Sequence, residues 1–408
     1  MTDDQTFASF DDDLGAFIRR TSGGSISRQH RPATHPDGEF NRLALALYSL
    51  QYEHNAPYQR FCQRRRISPA SVTDWRQIPC VPTSAFKELE LTSLPAPERT
   101  GVFHSSGTSE QPPSRHFHSA RSLALYEASL LPWFQTHLVP EWNVSPDSGR
   151  RINGSPVEHP AFLCLTPPPA SAPHSSLVRM FDTMRRNFGS CDFQFTGLAN
   201  DGAAWELDHA AIQAALERAM QRRQPLVLLG TAFSYVHLLD HLAANGLRFE
   251  LPAGSRALET GGYKGRSRTM SRHELHAFIT EHLGIPQSRI VCEYGMSELS
   301  SQAYDTVAEG TDRSAGANLQ PSTFNLQSEP KRRIFRFPPW ARVQVISPET
   351  GHEAGENETG LIRVWDLANA WSVMAIQTED LGIRRGNGFE LLGRAALAEP
   401  RGCSLMTV

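Results

Sequence analysis

The 408-residue chain has little net charge and no long apolar run. Its 40 Lys and Arg residues against 43 Asp and Glu give a formal net charge of −3, which is not the electrostatic footprint of a nucleic-acid-binding protein. No apolar stretch approaches the roughly 18–20 residues of a membrane-spanning helix. The acidic residues 1–13 lack the basic and apolar parts of a secretory signal. We therefore expect a cytoplasmic protein with no membrane span and no nucleic-acid partner.

Two other signatures are missing. The six cysteines include no C-x-x-C pair, which argues against a disulfide framework and against a zinc site with the usual ligand spacing. We expect most of them to be buried, unreactive thiols. The phosphate-binding signature G-x-x-x-x-G-K-[ST] is also absent. Any nucleotide site must therefore be built differently from a P-loop.

Hydrophobic periodicity predicts an α/β protein with four regions. Short apolar runs alternate with amphipathic segments in the middle of the chain, which is typical of largely parallel strands connected by helices. The predicted regions are a helical N-terminal part at 1–100, an α/β core at 101–310, a mainly β subdomain at 311–395 and a tail at 396–408.

The clearest strand and helix signals lie in the predicted core. Apolar runs predict strands at 162–165, 226–229 and 289–292, whereas helical spacing of apolar residues predicts helices around 212–220, 236–242 and 275–283. Ser271 and Glu274 form a capping-box pattern before the last of these helices, and Gly284 follows it. In the β region we predict strands at 334–337, 343–346, 361–365 and 389–392.

The first motif is Ser105-Ser106-Gly107-Thr108-Ser109. A loop rich in hydroxyl groups and glycine can bring backbone N–H groups and Oγ atoms against phosphate oxygens. Alone, the same stretch also fits a solvated Ser/Thr turn.

The second motif is Tyr294-Gly295-Met296-Ser297-Glu298, directly after a predicted strand. Ligands of open α/β sheets bind outside the carboxyl ends of the strands. There the Tyr294 ring can cover a planar base, and Glu298 can offer Mg²⁺ a hard oxygen ligand. An aromatic-glycine turn with a surface glutamate is the alternative.

The third motif combines Thr378, Asp380 and Gly382 with Gly393-Arg394. One carboxylate can accept hydrogen bonds from both hydroxyl groups of a ribose, and an arginine can reach ribose or phosphate. The alternative is a plain β-turn with a surface arginine.

Over about residues 100–395, the chain resembles the adenylate-forming superfamily in the order of these motifs and in the broad separations between them. Shorter stretches narrow the resemblance to the LuxE-type acyl-protein synthetases, with the phenylacetate–CoA ligases as near relatives. These stretches are Phe86-Lys87, 175–178, Gly261-Gly262-Tyr263-Lys264, 337–340 and 401–404. The resemblance implies the N-terminal domain of an adenylate-forming enzyme, in which stacked mixed sheets flanked by helices are joined by a small β subdomain.

The resemblance also implies a reaction and roles for individual residues. ATP and a carboxylic acid would form acyl-AMP, with Ser105, Ser106, Gly107, Thr108 and Ser109 holding phosphates and Glu298 binding Mg²⁺. The remaining nucleotide contacts would come from Gly261, Gly262, Tyr263, Tyr294, Gly295 and Ser297 around the base, Asp380 on the ribose and Arg394 on ribose or phosphate.

In the superfamily, a further domain follows the Gly-Arg hinge and carries a lysine that assists adenylation. Only residues 395–408 follow Arg394, so the resemblance implies a chain without that domain. The phosphate loop also departs from the usual pattern, since Glu110 and Pro112-Pro113 replace the glycine and the Pro-Lys pair. Either Arg115 or Lys264 is the candidate to replace the lysine.

By the same resemblance, Cys403 would take the acyl group as a thioester and deliver it to a partner protein such as an acyl-thioester reductase. A chance cysteine in a frayed tail is the alternative. Two other functions stay open: a ligase that makes an aryl- or acyl-CoA or an amide, and a non-catalytic nucleotide-binding subunit.

His116 and His118 have no further metal ligands nearby in sequence, and we expect both on the surface.

Overall fold

The computed structural model describes residues 6–22, 36–105, 112–141, 151–152, 155–156, 160–188, 192–199, 205–261, 270–306 and 332–395. The chain divides into two compact units. The first comprises the described parts of Met1–Ser129, Ser297–Ser301 and Ile334–Val408, and the second those of Leu130–Met296 and Gln302–Arg333. The four regional boundaries derived from composition stay predictions.

The α-helices of the described residues are α1 Phe7–Ser22, α2 Pro36–His54, α3 Ala56–Arg64, α4 Ala85–Glu88, α5 Ala120–Leu138, α6 Ser176–Phe188, α7 His209–Arg222, α8 Ala232–Ala244 and α9 Arg272–Leu283. None of them combines the length and the apolar composition needed to cross a bilayer.

The strands of the described residues are β1 Val81–Pro82, β2 Gly101–His104, β3 Arg115–His118, β4 Arg151–Ile152, β5 Ser155–Pro156, β6 Ala161–Cys164, β7 Phe193–Phe195, β8 Gly197–Ala199, β9 Trp205–Leu207, β10 Leu226–Thr231, β11 Arg256–Thr260, β12 Ile290–Tyr294, β13 Ala303–Tyr304, β14 Ala341–Ile346, β15 Thr359–Asp366, β16 Ala375–Arg385 and β17 Gly388–Arg394.

A six-stranded sheet with the order β13-β12-β11-β10-β6-β7 forms the centre of the second unit. Its strands are parallel except β13, and β6, β11 and β12 are buried throughout. Strands covered on both faces tend to be apolar runs, which is why β6 and β12 were recognisable in the sequence. Strand β11 was not recognisable, because Arg256, Glu259 and Thr260 interrupt its apolar pattern. Helices α7, α8 and α9 contribute to the same hydrophobic core. The capping box of Ser271 and Glu274 is present, and Gly284 ends α9 in the left-handed region.

A five-stranded sheet with the order β1-β16-β15-β14, in which β17 also pairs with β16, lies in the first unit. All its pairings are antiparallel except that of β1 with β16. The N-terminal helices attach to it through buried polar contacts, since Gln51 of α2 donates hydrogen bonds to the carbonyl oxygens of Asn369 (2.8 Å) and Ala370 (3.0 Å). The segment 334–337 forms only one bridge to β17. Mixed α/β architecture is thereby confirmed.

Candidate functional site

The serine-rich first motif lies between two paired strands of the first unit. Strands β2 and β3 form an antiparallel hairpin, with His104 opposite Arg115. Ser114 N donates to Ser105 Oγ at 2.9 Å, and Ser105 N donates to the Ser114 carbonyl oxygen at 3.4 Å. These two hydrogen bonds close the stem of the loop. Ser106, Gly107, Thr108 and Ser109 lie outside the described residues.

Strand β3 connects this hairpin to the second motif. His116 Nδ1 lies 2.8 Å from the carbonyl oxygen of Ser297, and burial lowers the pKa of His116 to about 4. The imidazole is therefore neutral near pH 7, and because a carbonyl only accepts, Nδ1 carries the proton and donates it. The prediction of surface histidines is wrong: β3 alternates between half-buried and buried positions, and His116 and His118 both take buried ones.

Asp366 anchors the segment Ser297–Ser301 to the end of β15. This fully buried carboxylate accepts hydrogen bonds from the backbone N–H groups of Ser300 (2.9 Å), Ser301 (2.7 Å) and Ala368 (3.0 Å) and from Ser301 Oγ (2.6 Å). Burial raises the pKa of Asp366, and these hydrogen bonds oppose the rise because they favour the ionised form. One carboxylate thus accepts two backbone hydrogen bonds and one hydroxyl hydrogen bond from this segment.

Glu298 is the buried carboxylate of the second motif. Asn369 Nδ2 donates to its backbone oxygen at 2.7 Å and so holds its position. Burial raises the pKa of Glu298, whereas the Ser114 side chain and then the charges of Arg394 and Lys87 lower it. The carboxylate therefore lies beside the stem of the serine-rich loop, within electrostatic range of two cations.

Asp380 and Arg394 of the third motif face each other on neighbouring strands. They are register partners in the β16–β17 pair, and Arg394 Nε lies 4.0 Å from Asp380 Oδ1. The Asp380 side chain is 19% exposed and that of Arg394 is 81% exposed. The plain β-turn considered for 377–382 is wrong, because these residues lie inside β16. Parts of all three motifs thus meet in the first unit.

The other predicted nucleotide contacts belong to the second unit. Tyr294 ends β12 and is buried, and Gly261 follows β11 with a φ of +74°, which favours glycine. Gly295 has little room for a side chain, since a Cβ there would overlap the Glu293 carboxylate. Thr260 Oγ1 donates a hydrogen bond to that carboxylate. Gly262, Tyr263 and Lys264 lie outside the described residues, as does Cys403.

Four residues of this arrangement carried no recognised signal in the sequence: Ser114, His116, Asp366 and Asn369. Ser114 lies just beyond the first motif, and the alternation within Arg115-His116-Phe117-His118 could have indicated inward-facing histidines. Asp366 follows a predicted apolar strand, and a carboxylate at such a strand end could have been recognised as an anchoring group.

The chain is similar in sequence to known proteins. Residues 35–118 match the family model described as "Acyl-protein synthetase, LuxE". The chain is 23% identical over 381 residues to a long-chain-fatty-acid–luciferin-component ligase of Vibrio harveyi, and 20% identical over 385 residues to that of Aliivibrio fischeri. Each alignment covers 90% of this chain and 86% of the relative.

Solved structures show the fold. A 2-hydroxyisobutyryl-CoA ligase in complex with 2-HIB-AMP and CoA superposes with a TM-score of 0.56 at 12% identity, over 91% of this chain and 81% of that one. The same enzyme in the postadenylation state gives a TM-score of 0.57, over 91% and 73%. The predicted fold class is therefore confirmed: the chain has the fold of the adenylate-forming ligases, and its sequence is similar to that of the LuxE acyl-protein synthetases.

Proposed function

We propose that this chain uses ATP to activate a carboxylic acid as an acyl-adenylate and then transfers the acyl group to a thiol. The observation that carries the proposal is the position of Glu298, which lies buried beside the stem of the serine-rich loop and within range of Arg394 and Lys87. Similarity over 90% of the chain to two long-chain-fatty-acid–luciferin-component ligases supports the same reaction and makes long-chain fatty acids the first substrates to test.

In the first step, a carboxylate oxygen of the substrate attacks the α-phosphorus of ATP. The bond between the α-phosphorus and its bridging oxygen breaks, and pyrophosphate leaves. Charge builds on phosphoryl oxygens, so positioning and electrostatic stabilisation supply most of the rate. We assign phosphate contacts to Ser105, Ser106, Gly107, Thr108 and Ser109, and the ribose to Asp380.

Base contacts are assigned to Tyr294, Gly295, Ser297 and the stretch Gly261-Gly262-Tyr263. We assign a ribose or phosphate contact to Arg394, and to Lys264 the role of the adenylation lysine. These assignments rest on the motif resemblance, and each can be tested by replacing the residue concerned.

Glu298 has the properties expected of a magnesium ligand. A carboxylate oxygen is the donor that Mg²⁺ prefers, and a buried carboxylate whose pKa is raised by desolvation is stabilised in its ionised form by a cation. When bound with ATP, the ion would neutralise phosphate charge. The chain's own part is to hold Glu298 in place through Asn369 Nδ2 and the anchored segment Ser297–Ser301.

In the second step, we propose that the Cys403 thiolate attacks the acyl carbonyl carbon, AMP leaves, and the thiol proton passes to solvent. The resulting thioester on Cys403 can then transfer its acyl group to a partner protein such as a reductase. The competing acceptors are coenzyme A and an amine, which would release a small-molecule product.

ATP–pyrophosphate exchange tests the first step. With a panel of fatty, aryl and amino acids, wild-type protein should exchange label with at least one acid. Glu298→Ala and Asp380→Ala should lose exchange, and Asp37→Ala, at an exposed position, should keep it. Wild-type protein that binds ATP calorimetrically but exchanges with no acid would instead be a binding subunit.

Intact-mass measurement tests the acceptor. After incubation with ATP and the active acid, the wild-type mass should increase by one acyl group. Cys403→Ser should abolish the increase, whereas Cys80→Ser should not. Acylation that survives in Cys403→Ser would remove this cysteine from the mechanism, and rapid thioester release to coenzyme A in that variant would favour the CoA ligase.

A further inference from the structure

Three potential metal ligands are buried together in the second unit. Glu259 comes from β11, His276 from α9 and Cys292 from β12, with exposed fractions of 5%, 2% and 1%. Cys292 Sγ lies 3.0 Å from Glu259 Oε2 and 3.5 Å from His276 Nε2, and the latter two atoms are 3.7 Å apart. Three different donor types therefore converge on one small volume.

These separations fit a tetrahedral zinc site. Zn–S bonds of about 2.3 Å and Zn–N or Zn–O bonds of about 2.1 Å place tetrahedral ligand atoms about 3.3–3.6 Å from one another. The separation of 3.5 Å lies within that range, that of 3.0 Å lies below it and that of 3.7 Å just above it, so small side-chain movements suffice to enclose the ion. Thiolate and imidazole together select zinc over Mg²⁺ or Ca²⁺, which prefer all-oxygen sites.

Two of the three ligands can carry a negative charge, and further charged groups lie around them. Arg333, whose Nη1 is 4.0 Å from Cys292 Sγ, is neutralised by Asp305 at 2.8 Å. Arg272, at the start of α9, also acts electrostatically on Glu259 and Cys292. A thiolate and a carboxylate carry two negative charges, which match the charge of Zn²⁺, and buried charges need such compensation.

We propose that Glu259, His276 and Cys292 bind one Zn²⁺ ion. Binding forms three protein–zinc bonds, releases the Cys292 thiol proton to solvent and leaves the fourth position to water or another small ligand. The ion would join β11, β12 and α9. The ligands are 17 and 16 positions apart along the chain, which explains why cysteine spacing gave no sign of them.

Metal analysis of the full-length protein tests the proposal. Protein stripped with a chelator and titrated with Zn²⁺ against a chromogenic competitor should take up one equivalent. Cys292→Ala and Glu259→Gln should each weaken binding at least about tenfold. Cys164→Ala, which removes another buried thiol from the same sheet, should not change it. His241→Ala should also bind normally, since His241 stacks on His209 away from the three ligands.

Co²⁺ substitution in the wild-type protein supplies a readout that does not depend on the folding of variants. A thiolate-to-cobalt charge-transfer band should appear at one equivalent. Absence of this band, no zinc uptake by wild-type protein, or unchanged uptake in both ligand variants would each overturn the proposal. None of these measurements involves ATP or acyl transfer, so their failure leaves the proposed function standing.

Discussion

Replacing Asp366 with asparagine should destabilise the protein strongly although the side chain keeps its size. Oδ2 accepts the N–H groups of Ser300 and Ser301, and Oδ1 accepts Ser301 Oγ and the N–H of Ala368. An amide has only one oxygen, so two of the four donors face an NH₂ group. Each buried donor left without an acceptor costs about 1–3 kcal/mol, which gives a loss of about 2–6 kcal/mol.

Urea unfolding followed by tryptophan fluorescence measures this loss. The matched control is Asp37→Asn, an exposed aspartate paired with Arg342 at 3.1 Å, for which we expect a change within about 0.5 kcal/mol. Pyrophosphate exchange should fall in Asp366→Asn at temperatures where the protein stays folded, because the segment carrying Glu298 loses its anchor. A stability loss below about 1 kcal/mol would refute the assignment of Asp366 as that anchor.

Three further predictions concern residues around the same motifs. Burial raises the pKa of Glu293 from 4.5 to about 7, so the folded protein retains a proton that the unfolded chain loses, and stability should fall by about 3 kcal/mol as pH rises through this window. Urea titrations at pH 5 and pH 8 measure this loss of stability, which Glu293→Gln should abolish. A variant that loses as much stability as the wild type between the two pH values would show that Glu293 is not its cause. His116→Phe should cost about 1–3 kcal/mol in the same assay by leaving the Ser297 carbonyl without its donor, and a neutral effect would be incompatible with this hydrogen bond. Arg394→Ala should leave stability within about 0.5 kcal/mol but slow exchange at least about tenfold, and full exchange activity would exclude a nucleotide contact.

Segments whose structure depends on local pattern were predictable from the sequence. Strand β10 begins with the apolar run 226–229 and β12 with the apolar run 290–292, and α9 has both its capping box and its terminal glycine. Strand β16 was not recognisable from the sequence, because Thr378, Glu379 and Asp380 interrupt its apolar pattern. The strand tolerates them since three neighbouring strands supply its hydrogen bonds.

The site was predictable only where its residues form a compact motif. Glu298, Asp380 and Arg394 stand in short stretches that resemble a known family, and the structure brings them into one unit. Their supports lie far away along the chain: His116 is 181 residues from Ser297, and Asp366 is 65 residues from Ser301. No local periodicity reports such pairings, because they depend on which strands become neighbours.

The pairing of β1 with β16 has a consequence for the order of events on the ribosome. Val81 lies opposite Ile376, so strand β1 and its partner β16 are separated by nearly 300 residues of synthesis. At a synthesis rate of about 5–20 residues per second, roughly 15–60 s pass between the synthesis of the early helices and that of the strands that cover them. The sheet from β6 to β12 is complete before then, so we expect newly made chains to carry a finished second unit beside an exposed, chaperone-dependent N-terminal segment.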